Sequence, residues 1–185
     1  MEVVCRLNTY YTGFVTVSME DFTELDSDRS QLRLAIKNFN KQWKTIHDDW
    51  NDYGNISDVK DELIPLIINT HAAIEDITAH TIVVYVVKDE FATDSFNYFY
   101  GQMSQSHRET LLVESGILSK NTRGKLGEFR ALRNKVAHGT SERLDWYRDD
   151  VPERMNGAFE ALDRFTSAFT DQQLIEDIYT GQTKL

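Results

Sequence analysis

The sequence predicts an all-α protein: an up-and-down bundle of four or five helices, preceded by a short N-terminal hairpin or extended arm. Three observations carry this prediction. Nine glycines and two prolines, Pro65 and Pro152, leave few obligatory breaks in 185 residues. Apolar side chains recur at spacings of three and four through most of the chain, the period of a helix with one buried face. A hydrophobic content of 41%, with 11% aromatics, suffices for one packed core. The arm is expected over residues 1–28 and the helical domain over 29–180.

Each element has its own signal. From Glu2 to Ser18 the chain is rich in β-branched and aromatic residues, punctuated by Asn8 and Gly13, which suits a short hairpin or an extended arm. Glu20, Asp21, Glu24, Asp26 and Asp28 then read as a polar connector. A first helix is expected from about Ser30 to Tyr53, because Leu32, Ile36, Phe39, Trp43, Ile46, Trp50 and Tyr53 form a seam of alternating spacings. Gly54 and Asn55 stop it, and Ser57 or Asp58 can cap a second helix running to near Lys88. Ile82 to Val87 is β-branched, yet it follows the helical pattern with no turn signal, so it reads as helix buried nearly all round. Glu75 and Asp76 lie inside that apolar segment; they stand on an exposed stripe, or one of them meets an arginine such as Arg133. Phe96, Phe99, Tyr100, Met103 and Leu111 predict a third helix over about 94–115, ending at Gly116. Leu126, Phe129, Leu132 and Val136 define a fourth that ends at His138 and Gly139. Asp150, Pro152 and Glu153 resemble a capping start for a fifth, with Met155, Phe159, Leu162, Phe165 and Phe169 inside and an extension toward Tyr179.

Composition excludes several classes of function. Residues Met1 to Cys5 lack the basic and apolar regions of a secretory leader, and the longest apolar run is far shorter than the roughly 20 residues that span a bilayer. A soluble, cytoplasmic protein without membrane association is therefore expected. The single cysteine, Cys5, permits no internal disulfide, and the histidines show no metal-ligand spacing, so neither metal nor cofactor is expected. No phosphate-cradling glycine loop, serine-nucleophile elbow or paired-carboxylate motif supports a kinase, esterase or glycosidase. The formal net charge of −10 argues at first against a nucleic-acid partner. Its distribution argues otherwise: residues 119–143 hold seven basic and two acidic groups, a local +5, against −15 in the remaining 160. Such an island focuses polyanions on one face while the rest repels them.

That island contains the run Arg133-Asn134-Lys135-Val136-Ala137-His138-Gly139. Asn134 and His138, four apart, share a helix face, and the long Arg133 side chain can swing toward the same edge. Arg133 supplies a permanent charge in a fork matched to phosphate oxygens, and His138 an imidazole, which ordinarily titrates near neutral pH. Arg130, Lys135, Arg123 and Lys125 are candidates for holding a polyanionic substrate. Trp146 and Tyr147, just beyond, either stack on unpaired bases or anchor a loop between helices.

The spacing Arg133-Asn134-x-x-x-His138, late in the chain on the penultimate expected helix, resembles the signature of the HEPN superfamily. The words before it, Leu111-Leu112, Gly116-Ile117 and Leu126 through Leu132, are similar to abundant bacterial and archaeal branches of that family. The resemblance spans roughly residues 30–170 and implies a HEPN-like helical bundle. It also implies a metal-independent endoribonuclease of a toxin–antitoxin or antiviral defence system, whose composite site forms where two protomers join their motif helices. RNA, a second copy of the chain and an antitoxin protein are the implied partners. In such a site Arg133, Asn134 and His138 would be catalytic. Attack by the ribose 2′-OH needs a base, a cation beside the charged transition state and an acid for the leaving oxygen, and it yields a 2′,3′-cyclic phosphate. HEPN toxins regulated by nucleotidyltransferases often carry a tyrosine two positions after the histidine; here Thr140 stands there. The strong acidity suits a halophilic host or a domain whose usual partner is a protein.

Two other readings come from different classes. In a non-catalytic HEPN-like regulatory or protein-binding module, similar to the mannitol-operon repressors, the trio forms a structural network with Arg133 against Glu75 or Asp76. In an interaction scaffold, the Leu32 to Tyr53 seam carries the function.

Overall fold

A computed structural model describes residues 3–5, 15–17, 22–53, 56–87, 92–138, 150–168, 182, 184 and 185, with side chains described from residue 31 onward except at 50–53, 56–59, 92–94, 96 and 97. Among these residues the fold is helical: α1 (Phe22–Tyr53), α2 (Ile56–Tyr85), α3 (Ala92–Gly101), α4 (Gln105–Glu114), α5 (Lys120–Ala137) and α6 (Val151–Ala168). The arm contributes a hairpin. Strand β1 (Val3–Cys5) pairs antiparallel with β2 (Val15–Val17), Val4 opposite Thr16.

Helix α2 is the axis of the bundle, packed against each of the other five helices. This explains why its sequence lacks a clean polar face: Thr70, His71, Ala73, Ile74, Asp76, Ile77, Thr78, Ala79, Thr81 and Ile82 are all buried. The β-branched run continues the helix as far as Tyr85, where Val86 and Val87 both donate to the carbonyl of Ile82 and turn the chain. Pro65, inside α2, lies on an exposed side. Around α2 the core takes Ile36, Trp43 and Ile46 from α1, Phe129 and Leu132 from α5, and Met155, Phe159 and Phe165 from α6. Trp43 also donates from Nε1 to Oδ1 of Asn156 at 2.8 Å, which fixes α1 against α6. Leu32 and Phe39 pack on the same core, whereas the Trp50 and Tyr53 side chains lie outside the described residues.

Two elements differ from the sequence expectation. Helix α1 begins at Phe22, so the acidic segment before Ser30 is helix and not connector; carboxylates in the first turns of a helix interact favourably with its dipole. The expected third helix is two, which gives six among the described residues. Gly101 ends α3, and Ser104, extended at φ −64°, ψ 151°, caps α4 by accepting from the His107 amide. Arg108 makes the break permanent. Its Nη1 donates to the carbonyls of Phe99 (2.6 Å), Tyr100 (3.2 Å) and Met103 (2.8 Å), the groups a helix end leaves without partners.

Helix α4 ends at Gly116, whose φ of +76° is open to glycine at little cost. Ser119 caps α5 through the Thr122 amide at 3.0 Å. The tail reinforces this cap: the Leu185 amide donates to the Ile117 carbonyl at 2.7 Å, its carbonyl accepts from the Ser119 amide at 2.6 Å, and its side chain is buried in the core. Helices α5 and α6 approach closely at Gly157, where an added Cβ would meet Lys125 Cβ at 3.4 Å. The expected extension of the last helix toward Tyr179 lies outside the described residues. No helix among them is long and apolar enough to cross a membrane.

Arg108 is the largest fully buried side chain, and its loss leaves carboxylates and carbonyls unpaired inside the bundle. Arg108→Met is expected to cost roughly 3–5 kcal/mol in chemical denaturation, with amide exchange in α3 accelerating before that in α2.

Candidate functional site

The C-terminal turn of α5 presents Asn134 and His138 to solvent. The helix brings them together because four residues complete slightly more than one turn. His138 is the C-cap, at φ −89° and ψ 20°, and its amide donates to the Asn134 carbonyl at 3.1 Å, so the same backbone bond sets the position of both. Arg133 is only half-buried and straddles the boundary. Its Nη1 donates to Asn134 Oδ1 at 3.2 Å on the exposed side, whereas its Nε is buried and makes no hydrogen bond. The described geometry thus joins Arg133 to Asn134 directly and places His138 one turn further along.

The other cations expected along α5 divide into two groups. Arg130 donates from Nη1 to both carboxylate oxygens of the fully buried Glu109 at 2.6 Å, and Lys125 is bonded to Glu160. Lys125 holds the exposed Glu160 carboxyl below its usual range. Both basic groups are thereby committed to carboxylates of the protein, a correction to their expected place in substrate binding. Arg123 is half-buried near the start of α5, and Lys135 is exposed in its last turn. Gly139, Thr140, Trp146 and Tyr147 lie outside the described residues.

Beneath the trio is a buried polar network that the sequence reading placed only in part. Glu75 does meet an arginine, and the nearest contact is Arg108: Oε1 lies 3.5 Å from Arg108 Nη2, while Oε2 lies 3.5 Å from His71 Nδ1. At that separation the imidazole and the carboxylate interact as charges and not as a formed hydrogen bond, and neither ring nitrogen of the buried His71 has a hydrogen-bond partner. Partial burial raises the Glu75 carboxyl, but His71 and the positive charges of Arg108 and Arg133 outweigh it and hold the group below its usual range. From Arg108 the network runs outward along α4. Gln105 Oε1 accepts from Arg108 Nε (3.0 Å), Arg108 Nη2 (2.9 Å) and the Thr78 hydroxyl (3.0 Å), and Gln105 Nε2 donates to Glu109 at 3.1 Å. Glu109 then takes Arg130. Arg108 escaped the sequence reading, although Ser104-Gln105-x-x-Arg108-Glu109 places three polar groups at positions that meet on one helix face.

Asp76, 2% exposed, differs from Glu75 in having little compensation. Burial pushes its carboxyl up to about 7; the Tyr100 hydroxyl and Arg108 work against that rise, and the adjacent Glu75 charge adds to it. Its Oδ2 has no hydrogen-bond partner. Among the described residues, no group of three or more His, Cys, Asp or Glu side chains is placed to hold a metal ion. Neither a family model, nor a curated protein, nor a solved structure matches this chain, so the reading of the site rests on its own residues.

The Asp76 carboxyl has a pH signature. Its raised folded value means that the stability it contributes is fully present below about pH 4 and lost as pH rises through about 7. Asp76→Asn, which keeps the neutral shape, is expected to match the wild type near pH 4 and to exceed it above pH 8 by on the order of 3 kcal/mol. Denaturation of the two proteins across this range measures the difference, and a constant difference would contradict the assignment.

Proposed function

We propose that this protein is a metal-independent endoribonuclease with a HEPN-like active site, completed when two copies bring their α5 ends together, and that it serves a toxin–antitoxin or antiviral defence system. The observation that carries the reading is the exposure of Asn134 and His138 on one turn of α5, with the Arg133 guanidinium joined to Asn134. This arrangement supplies a cation, a neutral hydrogen-bonding group and an imidazole, which are the three kinds of group that metal-free cleavage at a ribose 2′-OH requires. His138 takes or returns the proton, Arg133 stabilises charge on the phosphoryl oxygens, and Asn134 holds the ribose or the imidazole. A single copy offers one imidazole, and an isologous pair offers two, one for each proton transfer. Lys135 and Arg123 extend the surface along which a phosphate backbone is drawn.

A second reading is favoured by a specific observation. The buried, unbonded Nε of Arg133 and the commitment of Arg130 and Lys125 to carboxylates suit a non-catalytic regulatory or protein-binding module, in which the trio belongs to the network below it.

Cleavage of RNA in EDTA separates the two. The nuclease reading predicts activity in the wild type and a loss of roughly 100-fold or more in His138→Ala and in Arg133→Ala, with growth inhibition lost in parallel. Cleavage unchanged by His138→Ala would exclude the mechanism, and no cleavage by any of the three proteins would favour the regulatory module.

A further inference from the structure

We propose that Glu75 is a positioning residue for Arg133: a carboxylate on α2 that anchors the inner edge of the guanidinium and so fixes the direction in which its outer edge leaves α5. The two helices carrying these residues are packed together. Arg133 offers an inner edge that lacks a partner, because its Nε is buried without a hydrogen bond while Nη1 reaches the surface and Asn134. Glu75 has acceptor capacity to spare. Its contacts with Arg108 and His71 are both 3.5 Å long, beyond the separation of a full hydrogen bond, and a carboxylate has about four acceptor positions. Its side chain is 35% exposed, so it reaches from the buried network to the edge of the protein. The Arg133 charge acts on Glu75 alongside those of Arg108 and His71. Glu75 is thus a negative centre with cations from α2, α4 and α5 converging on it, two of them held by burial and one, Arg133, with a free outer edge.

Anchoring has a chemical use. A guanidinium presents its donors in a rigid planar fork, so fixing one edge orients the other and leaves less freedom to be lost when a phosphate binds. This catalytic consequence rests on the nuclease reading above. The positioning itself does not.

The test uses the whole protein labelled with ¹⁵N. The Nε–Hε signal of Arg133, identified by its disappearance in Arg133→Lys, is expected to be sharp and protected from solvent exchange in the wild type. Glu75→Gln is expected to shift that signal and remove its protection, and Glu75→Asp, which keeps the charge, to retain it in part. In RNA cleavage Glu75→Gln is expected to lower kcat by roughly 100-fold with KM little changed, the mark of a misdirected group, and Glu75→Asp to recover part of the loss. An Arg133 signal in Glu75→Gln with the wild-type position and exchange rate would overturn the proposal. If Glu75→Gln does not fold, the same signal in Glu75→Asp decides, because its carboxylate is withdrawn by one methylene; an unchanged signal again overturns the proposal. A signal that responds as expected in a protein that cleaves no RNA supports the anchoring while removing the nuclease reading.

Discussion

The buried guanidinium of Arg108 is the constraint that organises this molecule. A charge 2% exposed in the middle of a helical bundle is tolerable only when its donors are met, and Arg108 meets them with three carbonyls near the end of α3, the amide oxygen of Gln105 and the Glu75 carboxylate. Those contacts settle where α3 stops, how α4 turns away from it and which side of α2 carries charge. Through Gln105 and Glu109 the same network reaches Arg130 on α5. The helix that carries the candidate site is therefore oriented from below by polar contacts, as well as by the packing of Phe129 and Leu132. Geometry of this kind is directional, whereas apolar packing alone tolerates rotation and repacking.

Much of this architecture was legible in the sequence. The seam from Leu32 to Ile46 marked a helix because its spacing fits one face, and the β-branched run at the end of α2 read correctly because no turn signal interrupted it. Gly116 marked the end of α4 through its backbone freedom. What escaped was non-local. The acidic residues from Glu24 to Asp28 resemble a connector by composition, yet they suit the first turns of a helix. The break between α3 and α4 depends on Arg108 finding carbonyls five to nine residues earlier, and a window that scores apolar periodicity passes over a polar side chain. The docking of Leu185 on the α4–α5 turn joins residues more than sixty apart, and no local pattern announces it.

The candidate site was partly readable for the same reason. Asn134 and His138 lie one helical turn apart, so their common face follows from the sequence alone. Arg133 lies five residues before His138 and does not share that face by periodicity; its half-buried position depends on α2. The basic island was also read from composition, which counts charges without their partners. Glu109 and Glu160 lie outside the run in sequence but against it in space, and they neutralise Arg130 and Lys125. The positive potential available to a polyanion is correspondingly concentrated nearer the C-terminal turn of α5.

The account is tested most directly by the chemistry of the ends left after RNA is cut. Attack by the ribose 2′-OH, with Arg133 stabilising the phosphoryl charge and His138 moving the proton, predicts fragments that end in a 2′,3′-cyclic phosphate and begin with a 5′-hydroxyl, formed equally well in EDTA. Fragments bearing a 5′-phosphate and a 3′-hydroxyl, the signature of water-mediated cleavage, would contradict it.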